Sequence, residues 1–115
     1  MSKSPNPTIQ QSQRRSVPRY NFVATTELTE PNNQIRLSGR ATEISRNGCY
    51  VDILNAFPVG TVLNLQITRD QGCFSSKGKI IYVHPGIGMG VAFLETSEEQ
   101  LEILDSWLVG LPPAE

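Results

Sequence analysis

Three arginines lie within six positions of the segment QRRSVPRYNF (residues 13–22), which contains no acidic residue: Arg14, Arg15 and Arg19. A guanidinium group is always charged, and its planar fork matches two phosphate oxygens or the O6/N7 edge of guanine. A fully extended chain would separate Arg15 from Arg19 by up to ~13 Å, so both reach one ligand only if the chain bends or the ligand is large. A phosphate-bridged dinucleotide meets either condition. The cluster therefore predicts an anion site.

A second polar segment, EISRNG (residues 43–48), is expected where one strand ends and the next begins. Glu43 and Ser45 are two positions apart, so on a strand they point to the same face. The carboxylate can accept the N1–H and N2–H of guanine, the hydroxyl can donate to a phosphate, and Gly48 permits a tight turn close to a ligand. Read alone, the segment fits an ordinary hairpin turn better, because Ser, Asn and Gly are common turn residues.

The elements that must position these residues follow from the hydrophobic pattern. Period-two alternation predicts six strands, over residues 20–28, 34–44, 48–54, 61–68, 74–83 and 89–94. The inward residues are expected to include Ile35, Leu37, Gly39 and Ala41 in the second strand. A helix is predicted within residues 96–110, with Ser97 and Gln100 forming a capping box, Leu101, Leu104 and Leu108 on one face, and Gly110 and Pro112 ending it. This order predicts an all-β fold, a small closed barrel plugged or flanked by one C-terminal helix.

The domain organisation is simple. A chain of 115 residues fits one domain. We expect a flexible tail over residues 1–12, the barrel and helix over 13–110, and a short tail over 111–115. No apolar run approaches the ~20 residues of a membrane span, and the N-terminus does not resemble a secretion signal, so a cytoplasmic protein is expected.

Catalysis and metal binding are not supported by the residue pattern. The one histidine, His84, has no nucleophile pattern around it, and neither GxGxxG nor a phosphate loop occurs. Zinc is not expected without a CxxC pair. Cys49 and Cys73 are expected to be reduced, with Cys49 in the core, although the sequence does not exclude a pairing. We therefore predict a non-enzymatic protein without metal or cofactor.

Charge is unevenly distributed. Four of the ten Lys/Arg and none of the eleven Asp/Glu lie in residues 1–20, so this segment carries +4 and the rest of the chain −5. This basic N-terminal segment could simply aid solubility, or it could contact nucleic acid if the barrel binds single strands. The acidic body disfavours nucleic acid, and the candidate stacking residues Tyr20, Tyr50 and Tyr82 are expected to be spread apart.

The two polar segments, in this order, resemble the PilZ domain, a bacterial receptor module for cyclic di-GMP. RSVPR (residues 15–19) matches the family's RxxxR motif, EISRNG matches [D/N]xSxxG through Ser45 and Gly48, and GMGVAF (residues 88–93) resembles the glycine-rich entry to the last strand. The resemblance covers about residues 13–109 and implies a six-stranded antiparallel barrel with a C-terminal helix.

The resemblance also implies the ligand and its contacts. Arg15 and Arg19 would contact phosphates and guanines, Ser45 would hydrogen-bond the ligand, and Gly48 would hold the turn. An arginine directly before RxxxR accompanies an intercalated ligand dimer in the family, so Arg14 indicates two ligands per chain. The ligand-binding set predicted from the sequence is Arg14, Arg15, Arg19, Glu43, Ser45, Arg46, Gly48 and Gly90.

One residue departs from the family pattern and keeps a second function open. Glu43 stands where the family has Asp or Asn. Compared with Asp, its extra methylene moves the acceptor oxygens by ~1.3 Å and adds a side-chain rotamer that binding must freeze, at a cost on the order of 0.5 kcal/mol.

Two functional hypotheses remain. The first is a cyclic di-GMP receptor whose arginine loop closes over the ligand and alters a surface for an unidentified protein partner. The second is an adaptor that has lost the ligand and acts through protein contacts alone, in type IV pilus or motility regulation. Neither a membrane nor a nucleic acid is an expected partner.

Overall fold

The computed structural model describes residues 17–114, so the predicted N-terminal tail, Arg14 and Arg15 lie outside the described residues. Six antiparallel strands close into a barrel in the order β1-β2-β3-β6-β5-β4, and one helix follows them. This confirms the predicted fold. The elements are β1 (Arg19–Glu30), β2 (Ile35–Ser45), β3 (Gly48–Asp52), β4 (Val62–Arg69), β5 (Gly72–His84), β6 (Gly88–Leu94) and α1 (Glu98–Leu108).

The barrel interior follows the predicted alternation in most strands. In β4, Leu63, Leu65 and Ile67 are buried while the residues between them are exposed. The same pattern in β1 buries every second residue from Phe22 to Leu28. Because successive side chains of a strand point to opposite faces, one face of each strand forms the core.

The first half of β2 departs from its predicted pattern. Of the residues expected to point inward, only Ala41 is buried, and Ile35 is 46% exposed. The reason is that β3 pairs with β2 only from Arg40 onward, so the residues before it have β1 on one side alone. A bulge between Ala41 and Glu43 then shifts the register against β3. This bulge brings Thr42 and Glu43 to partly exposed positions in succession.

Helix α1 begins at the predicted cap but forms only half of the predicted capping box. The Ser97 hydroxyl accepts a hydrogen bond from the Gln100 backbone N–H at 3.2 Å. The Gln100 side chain instead accepts from the Ser75 backbone N–H at 2.7 Å, which fastens the helix to β5. Leu104 is fully buried, and Gly110, at φ +84°, takes the left-handed conformation that commonly follows a helix.

The residues after α1 return to the start of β1. The Asn21 N–H donates to the Pro112 carbonyl at 3.0 Å, and the Ala114 N–H donates to the Arg19 carbonyl at 2.9 Å. Within the described chain, β4 pairs with β1 only from Thr25 onward, so this edge of β1 would otherwise be open. The C-terminal segment therefore holds the backbone of Arg19 in place.

Both cysteines are free, as expected from the sequence. Cys49 is buried, and burial raises the pKa of its thiol to about 12. Residues 17–114 contain no cluster of His, Cys, Asp and Glu that could hold a metal ion. None of the helical segments described in this chain is long and apolar enough to cross a membrane.

Candidate functional site

Val17 and Arg19 of the first polar segment meet the second segment at one pocket of about 420 Å³. The antiparallel register of β1 and β2 brings them together, because it pairs Arg19 with Ser45 and Asn21 with Glu43. The pocket extends across β3 and β6 to β5. Its lining consists of Val17, Arg19, Glu43, Ile44, Ser45, Asn47, Gly48, Cys49, Tyr50, Ile81, Tyr82, Gly90, Val91 and Ala92.

Arg19 and Glu43 form an ion pair inside this pocket. An Nη of Arg19 lies 3.3 Å from Oε1 of Glu43, and both side chains are about one-third exposed (33% and 32%). The Nε–H of Arg19 is buried and has no hydrogen-bond partner among residues 17–114. A buried donor without a partner is unfavourable, so a rearrangement of the Arg19 side chain that brings this N–H to an anionic oxygen would be favoured.

Ser45 closes the turn between β2 and β3. Its hydroxyl accepts from the Asn47 N–H at 3.1 Å and donates to the Gly48 carbonyl at 3.3 Å. The single hydroxyl proton is therefore already used within the turn. To donate to a ligand phosphate, the Ser45 hydroxyl would have to turn its O–H away from the Gly48 carbonyl.

Gly48 is required by packing, independently of any ligand. It pairs with Ala92 of β6, and a Cβ at this position would lie 2.2 Å from the Val91 carbonyl oxygen. Because that oxygen belongs to the backbone of a neighbouring strand, the clash cannot be relieved by turning a side chain.

Gly48→Ala is expected to lower the free energy of unfolding by about 3 kcal/mol, at the upper end of overpacking effects. Gly86→Ala is the matched control: a Cβ there meets nothing within 4 Å, and only the strain of φ +74° is added, at about 1 kcal/mol. Urea denaturation of both variants measures the difference. Equal losses would mean that the contact between β3 and β6 does not depend on this glycine.

The remaining predicted residues divide into three groups. Gly90 lies in the pocket together with Arg19, Glu43, Ser45 and Gly48. Arg46 does not line it: its Nε–H donates to Oδ1 of Asp105 on α1 at 2.9 Å, with both side chains about half exposed. Arg14 and Arg15 lie outside the described residues. Ligand contact by each of the eight stays a prediction.

Two tyrosines of the pocket were named as stacking candidates in the sequence analysis but left out of the ligand-binding set, and they were expected to be spread apart. The rings of Tyr50 and Tyr82 stack with centroids 6.2 Å apart and planes at 29°. That expectation was wrong because both tyrosines pair with the same residue of β6, Gly90, from its two sides. The sequence did contain a signal for this contact, namely Gly90. A glycine in the middle of a strand often marks a place where neighbouring groups approach closely.

His84 completes this aromatic group. Its Nδ1 lies 3.0 Å from the Tyr50 hydroxyl, and its ring centroid is 5.2 Å from that of Tyr82. Partial burial, followed by the negative charge of Asp52, raises the pKa of Tyr50 above its ordinary value. The phenol is thus neutral at physiological pH and remains able to hydrogen-bond the imidazole.

Comparison with protein families identifies the architecture. The PilZ domain matches residues 13–110 of the chain. The chain belongs to the PilZ family. A comparison with curated proteins finds no match.

Solved structures share the fold of this PilZ domain. The PilZ domain of YcgR from Escherichia coli with c-di-GMP has a TM-score of 0.71 and 19% identity, over 86% of this chain and 92% of that one. The Bacillus subtilis inhibitor of motility, MotI/DgrA, has a TM-score of 0.69 and 16% identity over 83% of this chain, which spans only 49% of MotI. The PilZ domain of CeSA from a cellulose-synthesizing bacterium has a TM-score of 0.62 and 16% identity, over 80% of this chain and 95% of that one.

Proposed function

We propose that this PilZ domain is a receptor for cyclic di-GMP. The observation that carries the proposal is the convergence of Arg19, Glu43 and the Ser45–Gly48 turn on one pocket, with the Arg19 Nε–H buried and without a partner among the described residues. The solved PilZ domain of YcgR, which has the same fold, contains c-di-GMP. The proposal assigns no catalytic step, since binding alone is required of a receptor.

In the proposed complex, Arg19 donates to a ligand phosphate and Arg15 contacts a phosphate or a guanine. Glu43 accepts from the Watson–Crick edge of a guanine. The Arg19–Glu43 pair must loosen for both contacts to form. A partly exposed ion pair contributes only about 0–1 kcal/mol, so charge-assisted bonds to the ligand can replace it.

The proposed signal is closure of the segment that precedes β1. We infer that the arginines of residues 14–19 close over the bound ligand and thereby change the surface that a partner protein contacts. A ligand shifts such an equilibrium only through contacts that differ between the two states, and the arginine contacts would supply that difference. We further propose two ligand molecules per chain, because Arg14 directly precedes the RxxxR motif.

A second candidate function is an adaptor that binds no nucleotide. Glu43 favours it, because this residue replaces the family's Asp or Asn and is already paired with the arginine that a phosphate would need. In this alternative the ion pair is a permanent feature of the barrel surface, and protein contacts alone carry the function.

Titration calorimetry with cyclic di-GMP separates these proposals. For the receptor we expect saturable heat with one or two ligands per chain, and no comparable binding of cyclic di-AMP, which has the same phosphates but lacks guanine. A folded protein that gives no heat at high ligand concentration would select the adaptor. Strong competition by unrelated oligonucleotides would instead support a nucleic-acid barrel.

A further inference from the structure

The pocket has an aromatic wall that none of the matched motifs includes. The strand order places Arg19 and Glu43, on β1 and β2, at one end of the pocket and Tyr82, on β5, at the other. Tyr50, on β3, lies between them and stacks against Tyr82. The pocket therefore has a charged end and an aromatic end.

The backbone holds Tyr82 in this position. A bulge between Ile80 and Tyr82 breaks the alternation of β5, so Ile81 and Tyr82 are both exposed in succession, at 50% and 37%. The Tyr82 ring then lies over β6, where a Cβ on Gly90 would be 2.3 Å from the ring. Any other residue at position 90 would displace the ring.

Tyr50 is held in a similar way. Its hydroxyl lies 3.0 Å from Nδ1 of His84, and a Cβ on Gly88 would be 2.6 Å from its oxygen. Tyr82 therefore rests against a ring that is itself fixed. A preorganised aromatic face loses little conformational freedom when a flat group stacks on it.

We propose that Tyr82, supported by Tyr50, stacks on a purine base of the bound nucleotide and determines the preference of the pocket for a nucleotide over a simple phosphate. The inference rests on the proposed receptor function. Its basis is the separation of the two ends: a guanidinium takes the phosphate, and an exposed aromatic face in the same pocket suits the base. Every nucleobase has such a flat face, so Tyr82 contributes to affinity while guanine selectivity comes from hydrogen bonds elsewhere.

The test compares Tyr82→Phe with Tyr82→Leu. The first keeps the ring and removes only the hydroxyl; the second keeps an apolar side chain and removes the aromatic face. In calorimetric titrations with cyclic di-GMP we expect Tyr82→Phe to bind within about twofold of wild type. Tyr82→Leu should bind between about fivefold and 150-fold more weakly, which is the range of one base–aromatic stack.

A spectroscopic readout separates stacking from a merely structural role. The circular dichroism of the guanine absorption band should change on binding to wild type and Tyr82→Phe, and this change should be reduced with Tyr82→Leu at saturating ligand. Melting curves check that each variant is folded. If Tyr82→Leu does not fold, Tyr82→Gln replaces it at this exposed position.

The outcomes distinguish the two proposals. Equal affinity of Tyr82→Leu and wild type overturns the stacking role and leaves the receptor intact. An equal loss in Tyr82→Phe and Tyr82→Leu also overturns it, because the hydroxyl and not the ring would then matter. If wild type itself gives no heat, the receptor proposal fails and the stacking role fails with it.

Discussion

Replacing Arg19 by alanine is expected to weaken cyclic di-GMP binding by at least about 30-fold, because the proposed bond from this guanidinium to a ligand phosphate would be enclosed in the complex, and truncating one partner of such a charge pair costs about 2–5 kcal/mol. Two effects act in the same direction. The ligand phosphate loses the guanidinium that is proposed to bind it, and the Glu43 carboxylate is left facing a dianionic ligand without its counter-ion. Calorimetric titration of wild type and variant measures the loss.

The matched control is Arg36→Ala. Arg36 is an exposed arginine on β2 that does not line the pocket, so its removal changes net charge equally without touching the site. Arg36→Ala should bind within about twofold of wild type, because Arg36 pairs with Thr29, ten positions along β1 from Arg19, and salt screens exposed charges that lie more than a Debye length apart. A similar weakening in both variants would show that overall charge, and not the Arg19 fork, governs affinity. Unchanged binding by Arg19→Ala would leave this arginine as a partner of Glu43 alone.

Phe74→Ala is expected to lower the free energy of unfolding by about 3–5 kcal/mol, the range for truncating a buried aromatic side chain. Phe74 is fully buried, and its ring lies 5.0 Å from that of Phe93 and 6.4 Å from that of Trp107 between centroids. The residue thus connects β5 to β6 and to α1. Removing the ring leaves a cavity at the junction of all three.

Urea denaturation followed by tryptophan fluorescence measures this loss, because Trp107 is the only tryptophan in the chain and contacts the mutated region. Val23→Ala is the control: Val23 is 66% exposed on the outer face of β1, and its truncation should change stability by no more than about 0.5 kcal/mol. A loss below about 1 kcal/mol in Phe74→Ala would mean that this ring does not hold the junction of β5, β6 and α1 together.

Much of the fold could be read from local pattern because the strands are short and alternate regularly. β4 is the clearest case, since three apolar residues at every second position leave no other amphipathic arrangement. The cap of α1 was equally accessible, because Ser97 bonds an N–H only three residues away. Each of these features depends on neighbours within one turn or one strand.

The site was only partly accessible in this way. The motif spacing brought Arg19, Glu43, Ser45, Gly48 and Gly90 into consideration, and all five line one pocket. The same spacing suggested Arg46, which does not line the pocket and whose side chain pairs with Asp105, a residue 59 positions further along the chain; its contact with a ligand stays a prediction. Whether an exposed arginine points toward the pocket or toward a helix depends on which carboxylate lies nearest in space. The local sequence pattern does not contain that information.

The amino-acid sequence by itself determined the alternation of the strands, the start of the helix and the presence of an arginine cluster before the first strand. Only the tertiary structure decided that Tyr50 and Tyr82 meet over Gly90, that the C-terminal segment holds Arg19, and that Ile35 stays exposed. The physical reason is the range of the interactions. Alternation and capping arise between residues a few positions apart, whereas barrel closure, bulges and strand register depend on pairing between distant segments, which sets the side chains that share a surface.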